Sequence, residues 1–379
     1  MKICLLANPK SIFIKNWSEF YSKGNNEVHI IYLDRILAPI NKISTPGVFF
    51  HRIRLFSFTL LNLQSFYNYL QLRRLLYKIK PDILHVHYIS YHAWLAALSG
   101  FHPLVVSAYG SDIYIEAEES MRHRNWVKYV FKTADLITTT SKTLRKYIIE
   151  KYKVNKNKIV NFYWGLNLKL FKKNYNNEVK KLRRKYNLGK ETFVILSSRH
   201  MKPLYGIHYI IESIPEVVNK RKNVKFILLR GSSVKEYEQQ LRDQIKDLNI
   251  ENFVIFISEY LSPKDMAVYN NLADIIISTP ISDQFSEAIL EGMACGAIPI
   301  VNNLDVYTEH LEDGKNGFFV DREKPKDIAK KIIYCIDNHT KLKEKFAKIN
   351  RKILEEENDW DKNSKIMIQH YNKLIKKDL

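Results

Sequence analysis

Cysteine, glycine and long apolar runs are all scarce in this chain. Its three cysteines, Cys4, Cys295 and Cys335, are scattered and odd in number, with neither metal-ligand nor disulfide spacing. A reducing, cytoplasmic setting is the expectation. Only 12 of the 379 residues are Gly and 46% are hydrophobic, which excludes fibrous and disordered classes. The longest stretch free of Asp, Glu, Lys and Arg, residues 83–111, holds His85, His87, His92 and His102, so a membrane span is not expected there. Met1-Lys2 leads into a short β-type run at 3–7, without the long apolar region and cleavage site of a secretory signal.

Acidic residues are in deficit as well: 60 Lys+Arg face 40 Asp+Glu, a formal charge of +20. Residues 1–170 hold 24 Lys+Arg against 10 Asp+Glu, so +14 of that excess lies there. The segment Gln71-Leu72-Arg73-Arg74-Leu75-Leu76-Tyr77-Lys78-Ile79-Lys80 interleaves cations with apolar and aromatic residues. Three readings stay open for it: a solvated helix face, a docking face for an anionic membrane surface, or a nucleic-acid surface. The chain carries no zinc-finger spacing or RNA-recognition motif, so no nucleic acid is expected as a partner.

What is present is a regular alternation of β-rich and helical runs, the pattern of parallel α/β sheets. Strands are predicted at 2–7, 27–33, 83–87, 104–108, 136–139 and 159–164. Helices are predicted at 12–23 and 63–79, with another capped by Ser141. A second series of strands follows at 193–197, 224–229, 254–257, 274–278, 299–302 and 317–320. Between the two series, the polar run 172–177 is the linker candidate, which puts the boundary near 165–175. From about Lys352 the tail reads as one charged helix bearing Trp360, Ile366, Met367 and Tyr371. The length suits two domains of ordinary size.

Residues 273–299, ADIIISTPISDQFSEAILEGMACGAIP, are the most informative. They read as a buried strand, a polar loop, and a helix opening near Ala288 that ends on Ala294, Cys295 and Gly296. Asp283 lies in the loop and Glu291 eight positions on, in the first helical turns. Ligands of parallel sheets settle at the carboxyl ends of strands, and helix N-termini offer N–H groups to phosphate. A carboxylate in that first turn can accept from the paired hydroxyls of a ribose. The segment therefore suggests a nucleotide-sugar site. Just after the strand at 193–197, Arg199 and Lys202 stand before a Gly-started helix, a phosphate-clamp arrangement. Lys202 reads equally well as a surface lysine on a turn.

The run from Asp283 to Gly296 resembles the donor-site signature of the retaining glycosyltransferases of family 4, which have the GT-B fold. That family usually shows Glu, seven residues, Glu, then Ala-Met-Ala-Cys-Gly and a Pro. Here the first acid is Asp283, Gln284 stands where Gly is common, and Gly292 replaces the usual Ala. Segments 1–32, 81–112, 134–171, 194–212 and 315–321 resemble family counterparts in order. The resemblance implies two Rossmann-like parallel-sheet domains facing across a cleft. Residues 1–168 form the acceptor side, 169–355 bind the nucleotide sugar, and 356–379 are a C-terminal helix crossing back to the first domain; a helix that caps its own domain is the alternative.

Donor-binding positions are then Arg199, Gln284, Phe285, Ser286, Glu287, Ala288 and Glu291, with Lys202 added from its place in the loop. The catalytic candidates are Asp283, Glu291, Arg199, Lys202, His87, Tyr109 and Asp112. The family has Lys directly before Gly206, where this chain has Tyr205, and many members have His before Gly110, where it has Tyr109. Of His85 and His87, on one strand face, one is expected to be packing; Asp112 alternatively caps the following helix. The loop Asn8-Pro9-Lys10-Ser11 lacks the Gly-rich turn of many relatives.

The implied reaction moves a sugar from a nucleotide-diphosphate donor, a UDP-sugar, to a hydroxyl of a cell-surface glycan or lipid-linked precursor. Front-face displacement, with the leaving phosphate helping to deprotonate the acceptor, would retain configuration. No metal and no cofactor beyond the nucleotide-sugar substrate are implied. The expected place is the cytoplasm, or peripherally the inner face of the cell membrane. Two alternatives remain: a GT-B nucleotide-sugar epimerase, and a non-catalytic partner protein in which Asp283, Tyr205 and Tyr109 mark decay of the site.

Overall fold

The computed structural model describes residues 1–34, 45–55 and 61–376, the side chains of 61 and 62 aside. The chain divides into two compact units: unit 1, Met1–Tyr163 with Lys362–Leu379, and unit 2, Trp164–Asp361. In unit 1 the strands are β1 (Lys2–Leu6), β2 (Glu27–Asp34), β3 (Val48–Arg54), β4 (Ile83–His87), β5 (Leu104–Ala108), β6 (Leu136–Thr139) and β7 (Ile159–Asn161). They form one parallel sheet in the order β3-β2-β1-β4-β5-β6-β7. Its helices are α1 (Ile12–Lys23), α2 (Leu61–Ile79), α3 (Tyr91–Leu98), the single turn α4 (Ala117–Glu119), α5 (Met121–Thr133) and α6 (Lys142–Tyr152).

Unit 2 repeats the plan. Strands β8 (Phe193–Ser197), β9 (Val224–Leu229), β10 (Val254–Ile257), β11 (Ile275–Ser278), β12 (Ile298–Asn302) and β13 (Phe318–Val320) run parallel in the order β10-β9-β8-β11-β12-β13. The helices are α7 (Asn176–Lys185), α8 (Ile207–Lys220), α9 (Lys235–Asp247), α10 (Pro263–Leu272), α11 (Glu287–Ala294), α12 (Pro325–Asp337) and α13 (His339–Glu357). Central strands such as β8 and β11 are buried at every position, because crossover helices cover both faces of a parallel sheet. In both sheets the strand order reverses once, between β1 and β4 and between β8 and β11. Neighbouring crossovers diverge to opposite faces there and leave a crevice at the strands' carboxyl ends.

The tail differs from the single helix predicted. It is two helices, α13 and α14 (Trp360–Ile375), broken at Asn358 and Asp359. Buried Asn358 turns its side-chain amide to His310 at 2.8 Å, and its carbonyl accepts from Leu166 N at 2.7 Å. Trp360 N then donates to Leu166 O at 3.1 Å. A Cβ on Gly165, at φ +88°, would lie 2.7 Å from Trp360 N, so this close approach within unit 2 requires glycine. Within unit 1, α14 buries Tyr371, whose hydroxyl meets His85 Nδ1 at 2.5 Å and the Tyr21 hydroxyl at 3.0 Å.

Strand β3 was not predicted. It is the sheet's edge, mostly half-exposed, and is defined by seven register pairs with β2 rather than by an apolar run. The polar run 172–177 lies within unit 2, where Asn271 Nδ2 holds Lys172 O at 3.0 Å and α7 begins at Asn176. Among the described residues no helix is long and apolar enough to cross a membrane.

Candidate active site

At the switch point of unit 2, the loop after β8 carries Arg199 and the loop after β11 carries Asp283. Because β8 and β11 are paired neighbours, the two loops leave the sheet side by side. Arg199 Nη2 lies 3.1 Å from Asp283 Oδ2, with only 10% and 12% of the two side chains exposed. Arg199 Nη1 donates to Ser286 Oγ, and the guanidinium lies over the Tyr205 ring, 4.2 Å from its centroid. Tyr205, which stands where family members have Lys, thus stacks on the arginine. The Tyr307 hydroxyl donates to the same Asp283 Oδ2 at 2.7 Å, and its ring packs edge-on against Phe285 at 5.6 Å. Burial drives the Asp283 carboxyl upward from its ordinary value, and Arg199 and Tyr307 offset part of that rise. Burial opposes the Arg199 charge most, but Asp283 together with Tyr307 and Tyr205 outweighs it and holds the guanidinium up.

The same loop opens α11. Its N-cap is Ser286, whose side chain makes no capping bond, because the hydroxyl is turned to Arg199. The Ile289 amide donates to Ser286 O at 3.0 Å, which leaves the amides of Glu287 and Ala288 at the helix start to face an anion. Glu287 and Glu291 stand one turn apart, with Asn270 Nδ2 donating to Glu291 Oε2 at 3.3 Å. Burial pushes Glu287 up to about 7. Burial and then the Glu287 charge push Glu291 to about 8, against the opposing Asn270 bond. Phe285 is buried, while Gln284 and Ala288 are partly buried around the turn. Gly292 has a steric cause: an added Cβ would lie 2.5 Å from Ile276 Cγ2 on β11.

Lys202 opens the short turn Pro203–Tyr205 and is partly buried. It joins neither Asp283 nor Glu291 in an ion pair; its charge, with that of Arg199, adds to burial in holding His200 below its ordinary value.

The other candidates gather in unit 1. The Tyr109 hydroxyl and His87 Nδ1 are 3.1 Å apart, and the His85 and His87 rings sit 4.0 Å apart. His85 is fully buried, with Nε2 on Ser107 Oγ at 2.7 Å and Nδ1 on Tyr371, which makes it the packing histidine of the pair. Burial, then His92, lowers His87 to about 3, so it is a neutral ring at ordinary pH. Asp112 accepts from Ile89 N at 2.7 Å and from Tyr109 N at 3.0 Å. It ties the loop after β4 to the loop after β5, a positioning role. Burial still raises it to about 7 against those backbone bonds.

The structure thus brings Arg199, Asp283, Ser286 and Phe285 together, sets Glu287 and Glu291 on the adjoining helix, and groups His87, Tyr109 and Asp112 in unit 1. Two participants escaped the sequence reading. Tyr307 is 24 residues from its partner Asp283, and Asn270 is 21 from Glu291; no local pattern marks either.

Comparison with known proteins follows this division. Residues 2–141 match the family described as glycosyl transferase 4-like, and residues 178–353 match glycosyl transferases group 1. The spore coat protein SA of Bacillus subtilis is 23% identical over 249 residues, 62% of this chain and 64% of that protein. The chain thus spans just under two thirds of that relative's length. The N-acetyl-alpha-D-glucosaminyl L-malate synthase of Bacillus anthracis is 19% identical over 322 residues, covering 83% of this chain and 81% of that one. The crystal structure of Anabaena HepE in complex with UDP and glucose superposes with a TM-score of 0.82 at 18% identity, covering 99% of this chain and 100% of that one. The likeness to HepE carries the fold. With its two parallel sheets, its switch-point acid and arginine, and matches over both halves, the chain belongs to the group 1, family 4-like glycosyltransferases of GT-B fold.

Proposed function

We propose that this protein is a retaining glycosyltransferase that moves a sugar from a nucleoside-diphosphate donor, a UDP-sugar, to a hydroxyl of a cell-surface glycan or its lipid-linked precursor. The observation that carries the reading is the Arg199–Ser286 contact beside an uncapped helix start at the unit 2 switch point. A diphosphate placed there meets the α11 amides and the guanidinium, which stabilise the negative charge that develops as the sugar leaves. Lys202 adds positive charge from the same loop, and this set does the work for which other transferases use a divalent metal.

Glu291 is assigned to the ribose hydroxyls and Asp283 to the donor sugar and to Arg199. The acceptor side is assigned to unit 1, with His87 and Tyr109 as hydroxyl-binding groups. Retention follows from front-face displacement, in which the departing phosphate takes the acceptor proton. UDP is favoured because the HepE crystal contains it. The three residues read as possible marks of decay are each engaged, with Tyr205 on Arg199, Tyr109 on His87 and Asp283 held by Tyr307, which weighs against a decayed site. The working place is the cytoplasmic face of the cell membrane, where lipid-linked acceptors are met.

The test is incubation with a panel of nucleotide sugars while nucleotide release is followed. Slow release from one UDP-sugar, accelerated by an acceptor extract, is expected. No release and no donor binding across the panel would overturn the reading.

A further inference from the structure

Three neighbouring helices of unit 1 have an unusual outer surface. Helices α2, α3 and α5 share one layer on the sheet: the Tyr91 hydroxyl meets Ser65 Oγ at 3.2 Å, and Trp94 stacks on Trp126 at 5.2 Å. The helical residues 61–79, 91–98 and 121–133 contain no Asp or Glu. On α2 the outward stripe is Leu63, Phe66, Tyr67 and Leu70, then Tyr77, with Phe66 60% and Tyr77 80% exposed. Arg73, Arg74 and Lys78 lie on the same exposed side. On α5, Met121 is 76% exposed and Tyr129 also faces outward, beside exposed Arg122, Lys128 and Lys132. Seven of the thirteen large hydrophobic side chains exposed among the described residues belong to these two helices.

A face that is only solvated should mix charges of both signs, as α9 of unit 2 does with Glu236, Glu238 and Asp243 among its cations. The α2–α3–α5 layer instead combines aromatic and aliphatic side chains with one sign of charge. That is the composition of a surface that lies in a membrane interface, with apolar groups entering the headgroup boundary and long cationic chains meeting anionic lipid.

We propose that this layer is the face by which the protein docks on an anionic bilayer, with α2 lying against the headgroups. The proposal deepens the functional reading by naming where a lipid-linked acceptor is met. The docking itself is measured without nucleotide, so its failure leaves the transfer reaction standing.

The experiment is co-sedimentation of the full chain with phosphatidylcholine vesicles, plain or carrying about 30 mol% phosphatidylglycerol, at low and high salt. Binding is expected to the anionic vesicles alone and to weaken steeply with salt. Arg73→Glu with Arg74→Glu should cut the partition constant onto anionic vesicles by about fivefold or more per reversed charge. Phe66→Ser with Leu70→Ser should lower binding at both salt levels. Donor hydrolysis and the melting temperature should stay at wild-type values in both variants, which separates docking from folding and chemistry. Equal binding to neutral vesicles, no binding at low salt, or binding untouched by the charge reversals overturns the proposal. So does a dimer in sedimentation equilibrium that both variants dissolve in the absence of vesicle binding, which would assign the face to a second copy of the chain.

Discussion

The Tyr307 hydroxyl donates to the Asp283 oxygen that also faces Arg199, at 2.7 and 3.1 Å respectively. A phenol from a turn beyond β12 thus helps hold the shortened acid of the donor loop, and through it the arginine. Hydrogen bonds to charged groups contribute about 1.5–3 kcal/mol. Tyr307→Phe is expected to destabilise the fold by about that amount and to lower kcat about tenfold with little change in KM. Asp283→Ala should cost more, about 3–5 kcal/mol, because it leaves a buried guanidinium without its counter-charge. Thermal unfolding and steady-state kinetics decide it, and a silent Tyr307→Phe would remove the positioning role.

Glu291 is expected to contribute directly to donor binding and turnover. Glu291→Ala should cut turnover by about two orders of magnitude, since one transition-state contact is commonly worth roughly 2.7–4 kcal/mol. Unchanged rates at saturating donor would place Glu291 outside the site.

Stability should fall as pH rises toward 8. Both Glu287, at about 7, and Glu291, at about 8, lie above the 4.5 of an ordinary glutamate. Between those values the folded state keeps protons that the unfolded chain has lost, so rising pH favours unfolding. The effect is a few kcal/mol at most across the window. Glu287→Gln with Glu291→Gln should flatten the slope in melting experiments on the ligand-free protein. Asp112, raised to about 7, keeps a smaller slope of the same sign. Below about pH 6.5 the buried, neutral His87 acts with the opposite sign, so it is a melting temperature that rises between pH 7 and 8 that contradicts this account.

Gly292→Ala should destabilise the protein, although alanine is the better helix former by about 1 kcal/mol. The added methyl would sit 2.5 Å from Ile276 Cγ2, and overpacking of this kind typically costs about 1–3 kcal/mol. In an Ile276→Ala background, where the blocking side chain is gone, the cost of Gly292→Ala should be smaller than in the wild type. Denaturant titration of the single and double variants tests it, and a more stable Gly292→Ala would show that β11 yields without strain.

Much of the architecture was legible because buried parallel strands are short continuous apolar runs. The predicted strands at 83–87, 104–108, 136–139, 193–197, 224–229 and 254–257 coincide with β4, β5, β6, β8, β9 and β10. Helix α6 starts where the Ser141 cap predicted, with Ser141 Oγ accepting from Leu144 N. Where pairing or a single side-chain bond decides structure, the pattern was silent. Strand β3 exists through its neighbour β2, and the break at Asn358 exists through His310 and Leu166.

The order of strands and helices, the spacing of Asp283 and Glu291, and the excess of cations over acids were all set by the primary structure, because periodicity and composition act along the chain. Only the folded molecule decided that Arg199 meets Asp283, that Tyr307 and Asn270 join the site, that Gly292 answers to Ile276, and that acid-free helices lie side by side. Those relationships arise from the strand order, which places residues far apart in the chain at one sheet edge or in one layer, and no local spacing encodes that adjacency.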